Sequence, residues 1–276
     1  MDNYIALKVD STDEILMALL TQFEFEAFEE NEDHFIAYIK AYNLDEATKN
    51  EIIGLIRPYT ESFIFENVAN QNWNALWEAS FQPVIVDRFC QIRAEFHPPE
   101  DGIKYDLIVN PKMAFGTGHH ATTHMMISQM ADLDFNNKRV FDFGCGTGIL
   151  AILASKLGAV KIDAIDIEHE SYLNTIENCV INQVNNVIPY EGDINVMPEK
   201  IYDVILANIN RNILVKYASE LRDKINPGGS ILISGVLEED QSIVTDEYEV
   251  LGLCVQKVTN KDGWVCICMT NNNDGI

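Results

Sequence analysis

Residues 140–150 read VFDFGCGTGIL, and the fold turns on how that stretch is parsed. Val140, Phe141 and Phe143 are strand formers. Gly144, Gly146 and Gly148 follow at alternate positions, and Ile149 to Leu157 (ILAILASKL) then carries apolar residues at helical spacing up to Gly158. A buried strand therefore runs through a tight glycine turn into a helix. Such a turn lets a ligand lie against the backbone and aims the helix N-terminus at it.

The glycine spacing narrows the ligand. A dinucleotide fingerprint, G-x-G-x-x-G, needs its third glycine at position 149, where Ile149 stands, which disfavours a nicotinamide-dependent oxidoreductase. The pattern is instead G-x-G-x-G, with Asp142 two residues ahead of the first glycine. It resembles motif I of the Rossmann-like S-adenosylmethionine (SAM) methyltransferases. SAM presents a carboxylate, an ammonium and a ribose. Backbone N–H groups near Gly144 and Gly146 suit the carboxylate, and a nearby carboxylate such as Asp142 suits the ammonium. Val160 to Ile167 (VKIDAIDI) is a second apolar strand holding Asp166, 22 positions after Gly144. An acidic side chain at that distance accepts both ribose hydroxyl protons.

Further downstream, Tyr190 to Asp193 ends a third strand, with Asp193 where methyltransferases often contact the adenine ring. Tyr202 to Asn208 (YDVILAN) is a fourth strand, nearly all apolar as in a parallel sheet, with Asn208 at its end beside the expected sulfonium. Leu214 to Ile225 reads as a helix ended by Asn226-Pro-Gly-Gly229, Ser230 to Val236 as a fifth strand, and Glu238 to Glu247 as another helix. Tyr248 to Val258 and Trp264 to Met269 read as two strands around a hairpin turn at Asn260-Lys-Asp-Gly263. Upstream, the polar, glycine-rich loop Asn110 to His124 falls over the C-terminal edge of the sheet, where open α/β sheets bind ligands. Phe115, Gly116, Thr117 and Thr123 are therefore cofactor candidates. The hydroxyls of Thr122 and Thr123 can cap the following helix or reach the ligand. His119, His120 and His124 lack a carboxylate or cysteine at ligand spacing, so no metal site is expected.

Taken together, the G-T-G-H-H-x-T-T loop, F-D-F-G-C-G-T-G-I-L-A-I, D-I-E and A-N-I resemble PrmA, the bacterial methyltransferase family of protein eleven of the large ribosomal subunit. The likeness covers most of residues 70–270, and the GTGHH loop with its threonine pair is far more restrictive than the glycine motif. It implies SAM as cofactor, lysine and N-terminal amines of a basic large-subunit ribosomal protein as substrate, and Asn208 as the residue at the reacting edge. Ala-Asn-Ile-Asn at 207–210 is not the Asn-Pro-Pro-Tyr of adenine and glutamine methyltransferases. A methyltransferase of another protein or of a small molecule is the alternative, and a SAM-binding module without activity is a third reading.

Ahead of this unit the order strand (3–9), helix, strand (Phe23–Phe28), strand (His34–Ala41), helix (Asp45–Ile56), strand (Ser62–Val68) is that of a ferredoxin-like α+β domain. Ser11 with Glu14 forms a capping box for its first helix. The expected organisation is a recognition domain over 1–69, a linker and lead-in strands over 70–100, and the Rossmann-like class I methyltransferase domain over 101–276. Trp73 and Trp77, i and i+4, can meet on one helical face in the linker.

The net charge of −24 opposes a grip on nucleic acid and favours a basic partner. Residues 1–70 concentrate it, with 15 acidic and 4 basic side chains. Six cysteines without a CxxC pair, no run of 18 apolar residues and no signal-peptide pattern place the expected protein, with reduced thiols, in the cytoplasm and off the membrane.

Overall fold

The structure, a computed structural model, describes residues 4–31, 33–67, 82–109, 118–196 and 201–272. The chain divides into two compact units, Met1–Phe81 and Gln82–Ile276.

The first unit contains β1 (Tyr4–Val9), a helix (Glu14–Leu20), β2 (Phe25–Glu30), β3 (Phe35–Lys40), a helix (Glu46–Ile56) and β4 (Phe63–Asn67). The sheet order is β2-β3-β1-β4 with antiparallel neighbours, the ferredoxin-like arrangement. Alternation puts Leu7, Val9, Phe35 and Ala37 on one face, where they bury against Leu16, Leu20, Ile52 and Ile56 of the two helices. Ser11 does not cap the first helix. The helix opens at Glu14 itself, and Asp13 Oδ1 accepts the N–H groups of Ile15 (2.8 Å) and Leu16 (3.4 Å). Ser11 Oγ takes the Asp13 N–H instead. Burial of Leu16 and Leu20 sets the helix frame, and in that frame Asp13 occupies the capping position. Asn70 to Ser80, with Trp73 and Trp77, lies outside the described residues.

The second unit begins with a three-stranded sheet, β5 (Val84–Val86), β6 (Cys90–Arg93) and β7 (Tyr105–Ile108). Arg93 grips Asp106 with two parallel hydrogen bonds of 2.9 and 2.8 Å. Seven strands follow: β8 (Arg139–Phe143), β9 (Lys161–Asp166), β10 (Val187–Glu191), β11 (Tyr202–Asn208), β12 (Ile225–Leu237), β13 (Leu253–Lys261) and β14 (Trp264–Asn271). They form one sheet in the order β10-β9-β8-β11-β12-β14-β13, parallel as far as β12 and closed by an antiparallel pair. Sequence order reverses between β8 and β11, which makes their C-terminal ends the crevice for a ligand. Phe141, Ile165, Tyr202, Ile205, Ile231, Ile233 and Ile267 fill the core on one face. The helix Ile149–Lys156 buries every residue from Ile149 to Ala154, which explains its apolar run.

Three boundaries differ from the sequence reading. The span read as one helix over Leu214–Ile225 is two, Arg211–Lys216 and Ala218–Asp223, meeting at Tyr217. β12 starts at Ile225 and absorbs Asn226 to Gly229, with the register against β11 broken between Tyr202 and Val204. Tyr248 is helical rather than extended: it lies four residues after Val244 on the buried face of the helix Gln241–Val250, and its hydroxyl donates to the Leu214 carbonyl (3.0 Å). The β13–β14 hairpin turns at Asp262 and Gly263, both at positive φ (52° and 79°), as a two-residue primed turn requires. No helix among the described residues is long and apolar enough to cross a membrane.

Candidate active site

All three turn glycines have positive φ: 77° at Gly144, 55° at Gly146 and 74° at Gly148. Space is as restrictive as conformation. A Cβ on Gly144 would meet Ile209 Cγ2 at 2.2 Å, and one on Gly148 would meet Thr175 Cγ2 at 2.7 Å. The turn is bracketed from β9. The N–H groups of Gly144 and Cys145 both donate to the Ile165 carbonyl (2.9 Å each), and the Gly146 N–H donates to Asp166 Oδ2 (2.8 Å). Asp166 Oδ1 accepts from the Glu168 N–H (3.0 Å). Each carboxylate oxygen keeps a lone pair for a further donor.

The other clamp on the turn comes from residues the sequence reading passed over. In the helix His169–Ile181, Thr175 Oγ1 donates to the Gly146 carbonyl (2.9 Å) and Asn178 Nδ2 to the Thr147 carbonyl (2.9 Å). Asn178 also bonds Asn174 Oδ1 (3.0 Å), and all three side chains are buried. One turn further on, Asn182 exchanges hydrogen bonds with the backbone of Ile108, tying β7 to this helix. The signal was present as polar residues at i, i+1, i+4 and i+8. It contradicts the usual amphipathic rule, because here the polar stripe faces inward while Val180 on the apolar stripe is 72% exposed.

Asp142 lies beneath the turn rather than on its surface. It is buried, its Oδ2 accepts the Ala151 N–H (3.1 Å), and its Oδ1 has no hydrogen-bond partner among the described residues. Burial pushes its pKa up to about 7; the Ala151 N–H opposes the rise and the Asp166 charge adds to it. A carboxyl raised in this way is protonated in the folded protein over a range where the unfolded chain is ionised. Its contribution to stability is whole below the ordinary carboxyl value of 3.8 and fades as pH climbs towards 7. The cofactor-free Asp142→Asn variant is therefore expected to gain on the parent between pH 4 and pH 7 by a few kcal/mol, at about 1.4 kcal/mol per unit, and to hold a constant difference above pH 8. Urea midpoints at pH 4.5, 6 and 8 measure this, and a difference that does not change with pH would show that Asp142 ionises freely.

On the other side of the crevice, β11 ends at Asn208, which pairs with Ser234 of β12, while Ala207 pairs with Phe143 of β8. Asn208 Nδ2 donates to Thr123 Oγ1 (3.3 Å), so these two candidates are brought together. Thr123 is buried in the first turn of the helix Ala121–Met130. Neither threonine hydroxyl supplies the cap: His120 is the N-cap, and its Nδ1 accepts the Thr122 N–H (3.3 Å). His119 Nε2 lies 2.9 Å from the Gln82 carbonyl, and the His120 ring meets Trp264 edge-on at 4.9 Å. Asp193 closes a turn through Asn195, whose N–H and Nδ2 it accepts at 2.9 and 3.0 Å. Glu191 pairs with Asp166 and the Gly192 N–H donates to the Asp166 carbonyl, which sets Asp193 next along the same edge. Phe115, Gly116 and Thr117 lie outside the described residues.

The edge thus presents Asp193, Asp166, Gly144 to Gly146 and Asn208 in the spatial order β10, β9, β8, β11. At about 4.8 Å per strand the row is roughly 14 Å long. Hydroxyl acceptors along the edge, with a buried carboxyl oxygen lacking a partner behind the turn, fit a ligand carrying a ribose and an ammonium, while the N–H groups of Gly144, Cys145 and Gly146 are already engaged by Ile165 and Asp166 rather than left for a ligand carboxylate. This sheet and this edge are those of a Rossmann-like class I methyltransferase. The family model for ribosomal protein L11 methyltransferase (PrmA) matches residues 6–272. A protein of that name from Porphyromonas gingivalis is 38% identical over 96% of this chain and 92% of its own length. Another from Chlorobaculum tepidum is 37% identical over 98% and 96%. Among solved structures, the ribosomal protein L11 methylase of Lactobacillus delbrueckii subsp. bulgaricus shares the fold, with a TM-score of 0.65 at 24% identity over 70% of this chain and all of its own. The chain belongs to the PrmA family of ribosomal protein L11 methyltransferases, and it is a SAM-dependent protein methyltransferase.

Proposed function

We propose that the enzyme methylates lysine side-chain amines and the N-terminal amine of ribosomal protein L11. The observation that carries this reading is the row Asp193, Asp166, Gly144 to Gly146, Asn208 along one sheet edge, in a chain whose relatives bear that name over nearly their whole length. In this reading Asp193 meets the adenine, Asp166 the ribose hydroxyls, and the Gly144–Gly146 turn the amino-acid end, with Asp142 behind it. In the same reading Phe115, Gly116, Thr117 and Thr123 also contact the cofactor. When bound, SAM supplies a methyl carbon already activated by positive sulfur.

The protein's own task is to present a neutral amine in line with that carbon. A lysine amine is charged near pH 7 and must lose its proton to water before the site closes on it. The carboxamide oxygen of Asn208 then accepts a remaining amine hydrogen and aims the nitrogen lone pair. Residues 1–69 serve as the recognition domain, joined through 70–100 to the methyltransferase domain over 101–276. Their acidic excess suits a basic partner met in the cytoplasm. Incubating the enzyme with a whole set of ribosomal proteins and labelled SAM tests the substrate. Mass spectrometry is expected to place the label on lysines and the N-terminus of L11; label on a different protein, with L11 untouched, would overturn the assignment.

A further inference from the structure

We propose that Thr123 is a positioning residue whose hydroxyl sets which way the Asn208 carboxamide points, so that Oδ1 and not Nδ2 faces the incoming amine. The inference rests on the placement of Asn208 at the reacting edge given above. The backbone of Asn208 is fixed, because β11 pairs with β8 up to Ala207 and with β12 up to Asn208 itself. Only the side-chain torsions remain, and the terminal amide torsion is broad and two-fold. A half-turn about it exchanges an acceptor for two donors. In the wrong sense the amide would donate to the amine lone pair and quench the nucleophile. In the right sense it accepts an amine hydrogen and leaves the lone pair free.

Thr123 decides between the two. Its Oγ1 lies 3.3 Å from Nδ2, and the residue is 2% exposed. A β-branched side chain in a helix is stiff at χ1, and Oγ1 accepts the Nδ2 hydrogen, so what it offers Asn208 is a lone pair, which only Nδ2 can use. The helix that carries it is itself anchored. His120 caps its first turn, and Gln129 Nε2 near its other end donates to the Cys266 carbonyl and to Thr259 Oγ1, both at 2.9 Å. The position of Oγ1 is therefore a property of the scaffold rather than of the ligand.

The test compares Thr123→Val, which keeps the shape and removes the hydroxyl, with Thr123→Ser, which keeps the hydroxyl, each in the parent and in Asn208→Ala. Without cofactor or substrate, the ¹⁵N-labelled full chain reports the Asn208 side-chain NH₂ directly, identified by its disappearance in Asn208→Ala. The parent and Thr123→Ser are expected to show one bonded, slowly exchanging amide proton, and Thr123→Val an averaged, fast-exchanging pair. With recombinant L11 as substrate, Thr123→Val is expected to lower kcat about tenfold, comparable with losing one well-placed hydrogen bond. Thr123→Ser recovers most of the rate, and Thr123→Val adds nothing in the Asn208→Ala background. An unchanged amide signal in Thr123→Val, or a loss of rate that multiplies with that of Asn208→Ala, overturns the proposal alone. A normal rate in Asn208→Ala would instead remove the reading of Asn208, and this proposal with it.

Discussion

Asp166→Ala is expected to raise the dissociation constant for SAM by about two orders of magnitude. Two hydroxyl hydrogen bonds to a carboxylate are charge-assisted and worth roughly 1.5 kcal/mol or more apiece. Together that is about 3 kcal/mol, or a hundredfold in affinity. The effect is sharpened by what Asp166 already does in the protein alone. Its Oδ2 holds the Gly146 N–H at 2.8 Å, so removing the carboxylate also leaves the middle of the glycine turn without its bracket from β9. Asp166→Asn keeps one acceptor oxygen and is expected to fall between, about tenfold weaker than the parent. Isothermal titration of the folded variants with SAM and with S-adenosylhomocysteine measures both, and the product should be affected as strongly because it carries the same ribose. An alanine variant that binds within threefold of the parent would place the ribose elsewhere.

The glycine turn was legible because it needs a conformation and a clearance that few residues allow. Three glycines at alternate positions are costly unless the backbone requires them, and all three have positive φ. The place of Asp166 at the end of its strand was legible because an apolar run breaks there, whereas its bonds to the Gly146 and Glu168 N–H groups were not. The β-α-β-β-α-β order of the first unit followed from hydrophobic periodicity, which burial enforces. What could not be read depends on contacts made across the fold. Asn174, Thr175 and Asn178 look like the solvent side of an amphipathic helix until one knows that the carbonyls of Gly146 and Thr147 need donors. Asp142 was read as a carboxylate near the ligand's ammonium, and what the strand alone did not show is that it lies buried under the turn and accepts the Ala151 N–H. Ser11 was read as the cap of the first helix, and the buried face of that helix puts Asp13 there instead. Tyr248 has strand propensity, yet its spacing from Val244 on a helix that must bury one side prevails.

Gly235→Ala is expected to destabilise the second unit by about 2–5 kcal/mol. Gly235 sits in β12 at φ 86°, where the register against β14 slips between Ser234 and Val236. Its Cβ would lie 2.3 Å from the Ile209 carbonyl oxygen, 2.7 Å from the carbonyl carbon and 3.0 Å from the nitrogen. All three are backbone atoms, so no rotamer relieves the overlap. The Ile209 N–H is meanwhile held by the Ser234 carbonyl at 3.2 Å, so the ends of β11 and β12 would have to part. Left-handed strain costs roughly 1–2 kcal/mol and overpacking another 1–3. The sum is a large share of the 5–15 kcal/mol typical of a folded domain. The damage should also reach the cofactor. The same Ile209 fills the space beside Gly144 with its Cγ2, so a shift of its backbone presses directly on the glycine turn and displaces Asn208, its neighbour in the chain. Gly228→Ala provides the matched comparison, since Gly228 has φ 73° with nothing within 4 Å of the added methyl. It should show the conformational cost alone, about 1–2 kcal/mol in urea unfolding, with SAM affinity unchanged. If Gly235→Ala proves no less stable than Gly228→Ala and binds SAM as the parent does, then Ile209 does not act as the wedge that couples the ends of β11 and β12 to the turn.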